Sequence, residues 1–65
     1  MKGQQMKTRI KEFKNGAMAY LGTCGIGYET FARNPQGDKI DKMICDDYQM
    51  ALEYYRAFQA LAKNS

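Results

Sequence analysis

Six residues near the start of the chain have types and spacing suited to a polyanion. Lys7, Arg9, Lys11 and Lys14 are cations, and Phe13 and Tyr20 are aromatic. Cations neutralise phosphates and release condensed counterions, while rings stack on bases and sugar faces. Positions 7, 9 and 11 alternate, and alternate residues of a strand share one face. In a hairpin closed by a two-residue turn at Asn15-Gly16, Lys11 stands opposite Tyr20 and Phe13 opposite Met18. Lys7, Arg9, Lys11 and Phe13 then share a face with Met18 and Tyr20. Thr8, Ile10, Glu12, Ala17, Ala19 and Leu21 form the other, which is expected to receive a helix. The plainer account of the same lysines is a solvated strand face that discourages edge-to-edge aggregation.

A second group lies near the C-terminus. At 100° per residue, Met50, Ala51, Tyr54, Tyr55, Ala57, Phe58, Leu61 and Ala62 span about half of a helix's circumference. Met50, Tyr54, Phe58 and Leu61 read as core. Tyr48, Leu52 and Tyr55 lie along the edge of this arc and suit a protein interface, either a homodimer or docking onto another protein. The acidic stretch 38–47, with Asp38, Asp41, Asp46 and Asp47, offers a protein partner a mimic of phosphates.

Other residues carry weaker signals. Gly22-Thr23-Cys24-Gly25-Ile26-Gly27 superficially matches a phosphate-binding loop, but such loops must enter a helix, and a strand follows here. A tight connection or a bulge is expected instead. The aspartates lack the spacing of a calcium loop, so no metal is expected. Cys24 and Cys45 are not in a C-x-x-C arrangement and read as small buried hydrophobes with free thiols. The chain has no histidine, which removes the usual general base and the imidazole metal ligands. With a core too small to enclose a substrate, a non-enzymatic protein without cofactor is expected.

These residues must be positioned by few elements. Asp46 with Gln49 three residues on signals a helix start, and Lys63 suits its negative end, giving a helix over about 47–63. Asn15-Gly16 is a hairpin signal that joins Lys7–Lys14 to Ala17–Thr23. A helical reading of residues 6–14 stays open, since Met6, Ile10 and Phe13 recur at helical spacing and Asn15-Gly16 also suits a helix end. Tyr28–Arg33 reads as a strand, Asn34-Pro35-Gln36-Gly37 as a turn and Lys39–Cys45 as another strand. The expected fold class is α+β: an antiparallel sheet of three or four strands with one C-terminal amphipathic helix on one face. One domain covers 1–65, with 1–6 flexible, the sheet at about 7–45 and the helix at about 47–63.

At 65 residues and a net charge of +3, apolar burial and chain ordering nearly cancel. Each amounts to about 100 kcal/mol, so the protein must pack well or borrow area from a partner. The charge is uneven: residues 1–16 carry a net +4 and residues 37–47 a net −2. No leader-like apolar region and no membrane-length run is present, so a soluble cytoplasmic protein without membrane contact is expected.

The order of sheet, Asn34-Pro35-Gln36-Gly37-Asp38-Lys39 turn, strand and helix resembles the arm-type DNA-binding domain of phage tyrosine recombinases, over about residues 17–62. That resemblance implies a sheet that reads the major groove, backed by a helix. The acidic Cys45-Asp46-Asp47 stands where that family enters its helix through lysine and threonine. The leading expectation is a small binding module for DNA or RNA that uses Lys7, Arg9, Lys11, Phe13, Lys14 and Tyr20. The alternative is a protein-interaction module, such as a small phage-type inhibitor or accessory factor, acting through Tyr48, Leu52 and Tyr55 or through the stretch 38–47.

Overall fold

A computed structural model describes residues 8–65. Lys7 and the expected flexibility of 1–6 lie outside the described residues. Four strands, β1 (Arg9–Glu12), β2 (Met18–Cys24), β3 (Gly27–Arg33) and β4 (Lys39–Cys45), form one antiparallel sheet in the order β1-β2-β3-β4. A helix, α1 (Tyr48–Lys63), follows. The α+β class and the single C-terminal helix are as the sequence predicts, and the strand reading of residues 9–12 replaces the helical one.

The first turn differs from expectation, and the difference matters. Gly16 donates its N–H to the Phe13 carbonyl at 3.0 Å, and Phe13 donates to the Ala17 carbonyl at 3.0 Å. The loop is therefore three residues, Lys14-Asn15-Gly16, with Gly16 at φ +94°. This is a type I turn followed by a left-handed residue, which glycine alone adopts at little cost. The extra residue shifts the pairing by one: Arg9 faces Leu21, Ile10 faces Tyr20 and Lys11 faces Ala19. A shift of one exchanges every side chain between faces. Arg9, Lys11 and Phe13 thus share the helix side with Ala17, Ala19 and Leu21. Ile10 and Glu12 share the open side with Met18 and Tyr20, so the expected common face of Arg9, Lys11 and Tyr20 does not form.

The core lies between sheet and helix. Ala17, Ala19, Leu21, Ala32 and Cys45 meet Ala51, Tyr55, Phe58 and Ala62. The helix residues follow a 4-3-4 spacing that draws one stripe along α1. Alanines at the sheet centre let the helix approach closely, and Leu21 fills the remaining volume as a completely buried side chain. Thr30 is also fully buried and donates its hydroxyl to the Tyr20 carbonyl at 2.7 Å, which satisfies this buried polar side chain. The helix start is one residue later than expected. Asp47, not Asp46, is the N-cap, and its carboxylate accepts from the Met50 N–H at 3.1 Å. Met50 and Leu61, expected in the core, are 49% and 38% exposed. Both sit on the flank of α1 about 100° from the buried stripe.

Burial pushes the Cys45 thiol pKa up, reinforced by the Asp46 and Asp47 carboxylates. Burial likewise raises Tyr55, partly offset by the Arg9 guanidinium. Both cysteines are free, Cys24 half-buried and Cys45 buried.

Candidate nucleic-acid interface

The up-and-down order of the strands brings two chain reversals and one helix terminus to one end. The loop after β1, the turn after β3 and the C-terminus of α1 all lie there. In the second turn Asn34 accepts from the Gln36 and Asp38 N–H groups at 3.0 and 2.9 Å, which fixes the entry into β4. A side chain on Gly16 would lie 3.7 Å from Pro35, so the two turns are neighbours. Asn15 ties the first turn to the helix. Its amide nitrogen lies 3.1 Å from the Ala62 carbonyl, 3.4 Å from that of Lys63 and 3.3 Å from that of Ser65. Its amide oxygen accepts from the Ala17 N–H at 2.9 Å. A helix end leaves carbonyls without intrahelical partners, and here a side chain 47 residues away supplies a donor.

This convergence clusters charge. Lys11, Lys14, Arg33, Lys39 and Lys63 gather at this end with Glu12 and Asp38. A groove of about 510 Å³ between hairpin and helix is lined by Lys11, Glu12, Phe13, Lys14, Asn15 and Lys63. Asp46 and Asp47 lie at the opposite end, beyond a seven-residue strand. The acidic stretch 38–47 is therefore not one surface, because β4 separates its first and last aspartates by about 20 Å.

The open face of the sheet holds a column of stacked groups. Tyr20 and Phe31, paired across β2 and β3, stack with centroids 4.7 Å apart and planes 18° from parallel. Lys39 Nζ lies 4.7 Å from the Phe31 ring centre and the Arg33 guanidinium carbon 5.3 Å from it. Phe31 is consequently only 8% exposed, although it lies on the face opposite α1. The Tyr20 hydroxyl lies over Gly22, where a β-carbon would force the tyrosine ring to shift. Lys42 is engaged elsewhere on this face, 3.5 Å from Glu29. Arg33 and Lys39, by contrast, are held at the ring by cation–π attraction of about 0.5–1 kcal/mol each.

Each described residue singled out in the sequence now has a place. Lys11 and Lys14 join the cluster, Phe13 lines the groove half-buried, and Tyr20 stands on the other side of the sheet. Arg9 is exposed beside the helix, close enough to Tyr55 to act on its ionisation. Tyr55 is 7% exposed and belongs to the core, and Tyr48 packs at 5.3 Å against Tyr28. Leu52 is half-buried beside the core. The residues that sequence reasoning missed are Phe31, Arg33, Lys39 and Lys63. Phe31 and Arg33 alternate within a strand, a signal present but unread; nothing local marks Lys63 as a neighbour of Lys14.

Among the described residues, no helix is long and apolar enough to cross a membrane. No protein-family model matches the chain, and neither a curated protein nor a solved structure is significantly similar to it.

Proposed function

We propose that the protein is a non-catalytic binding module for nucleic acid, and that the cluster of Lys11, Lys14, Arg33, Lys39 and Lys63 is its contact surface. The observation that carries this reading is the convergence of two turns and the helix C-terminus, which concentrates five cations from three separate parts of the chain. Phosphate contacts dominate such a surface, because both faces of Phe31 are already occupied and only the outer side of Tyr20 is left for a base. Binding is thus tolerant of sequence and governed by counterion release.

The test is a fluorescence-anisotropy titration of a labelled single-stranded oligonucleotide at increasing salt. Each engaged cation contributes about −0.7 to the slope of log K against log salt on a single strand. All five give about −3.5, a loss of affinity on the order of 100-fold between 50 and 200 mM salt. Lys14→Gln and Lys39→Gln should each make the slope shallower by about 0.7. Arg56→Gln, on the exposed side of α1, should leave it unchanged. A slope near zero rules the function out.

A further inference from the structure

The exposed flank of α1 carries a pattern that the nucleic-acid reading leaves unused. Met50, Tyr54, Ala57 and Leu61 repeat at a 4-3-4 spacing, the seam of a helix that packs against another helix. Met50 is 49% and Leu61 38% exposed, Ala57 is exposed and Tyr54 half-buried. Met50, Glu53, Tyr54 and Ala57 enclose a groove of about 320 Å³. These four are residues i, i+3, i+4 and i+7, the set that forms a hole for an incoming side chain in knobs-into-holes packing.

From this flank we infer that the surface receives a second copy of the chain, with the two α1 helices antiparallel. Two features select that occupant. The seam complements itself under a twofold axis: Met50 meets Leu61 of the other copy, and bulky Tyr54 meets small Ala57. Charge selects the direction. Among the described residues, Asp46 and Asp47 stand at the start of α1 and Lys63 at its end, near the clustered cations. An antiparallel pair sets each acidic end beside the partner's basic end and opposes the helix dipoles, whereas a parallel pair sets aspartates against aspartates. A seam about 17 Å long and about 10 Å wide is small beside the roughly 1,200 Å² total of a stable interface. The dimer is therefore concentration-dependent, in rapid exchange with the monomer. The paired copies carry a cation cluster at each extremity.

Sedimentation or light scattering over a concentration series of the full chain tests this directly. The apparent mass should rise from 7.5 kDa towards twice that value. Met50→Lys with Leu61→Lys should weaken self-association on the order of tenfold or more, because it places charges in an apolar contact. Both side chains are solvent-exposed, so the folded monomer should keep its circular dichroism and its thermal midpoint. As a control on the surface, Arg56→Gln should dimerise like the unaltered chain. A mass that stays monomeric at millimolar protein overturns the inference. So does a dimer that the double lysine variant leaves intact. Neither outcome bears on the salt-dependent binding of an oligonucleotide, which the same variant should retain.

Discussion

Phe31→Leu is the most informative single change, because it removes aromatic character while keeping most of the apolar volume. The structure separates its terms. The stack on Tyr20, at 4.7 Å, is worth about 0.5–1.5 kcal/mol beyond area burial. The Lys39 and Arg33 contacts add about 0.5–1 kcal/mol each at a solvated site. Allowing for partial repacking of leucine, the expected loss is about 2 kcal/mol. A 65-residue protein has a total stability of roughly 3–10 kcal/mol, so this is a large share. The thermal midpoint should fall by about 4–8 °C per kcal/mol. Urea unfolding followed by circular dichroism measures the loss. A double-mutant cycle with Lys39→Met should return a coupling of about 0.5–1 kcal/mol. In oligonucleotide titrations the salt slope should persist, since no charge is lost, while affinity drops because Arg33 and Lys39 are no longer held in place. A stability change within ~0.3 kcal/mol and no coupling would show that the column is a coincidence of rotamers, and the argument for positioned cations would fail with it.

Further outcomes follow from other contacts. Asn15→Asp keeps the acceptor for Ala17 but loses the amide donor to the helix end, so hydrogen exchange of the last turn of α1 should accelerate; unchanged protection would mean that the tie is not formed in solution. Asp47→Ala should cost about 1 kcal/mol and Asp46→Ala only a few tenths, a contrast that chemical denaturation can resolve and that equal losses would contradict. Thr30→Val should destabilise by about 1 kcal/mol through the lost bond to the Tyr20 carbonyl, and a stabilised variant would refute that role. Stability should decline as pH rises through the ordinary thiol value of 9.0 and phenol value of 10.0, because the unfolded chain ionises Cys45 and Tyr55 there while the folded chain holds both protons. A stability profile flat over that window would count against their burial.

The elements were largely legible because local chemistry specifies them. Pro35 and Gly37 mark a turn, strand-forming residues fill 28–33 and 39–45, and an apolar arc marks the helix. Loop length was not legible. Asn15-Gly16 is compatible with a two-residue turn and with a three-residue one, and the choice between them moves Arg9 and Lys11 to the opposite face. The sequence pattern pointed to cations interleaved with aromatics, and the fold supplies such a combination from different residues. Tyr20 stacks on Phe31 of β3, whereas the two-residue turn set Lys11 opposite it. The Asn15 tie spans nearly the whole chain, so no window of residues contains it. Met50 and Leu61 defeated the helical wheel for a simpler reason. A single sheet covers only the stripe through Ala51, Tyr55, Phe58 and Ala62, and the rest of the arc is left in water.

On the proposed function, the gathering of five cations at one end, with Asp46 and Asp47 at the other, has a consequence for how a single molecule meets a charged rod. The field of the rod turns the protein before contact and selects an upright arrival, like a bristle on a brush. Four strands are about 19 Å across at their usual spacing. An upright molecule then shadows about five or six base pairs at 3.4 Å each, fewer than one lying lengthwise. Neighbouring bristles present like-charged tips to one another, which sets a limit on how densely the rod can be coated.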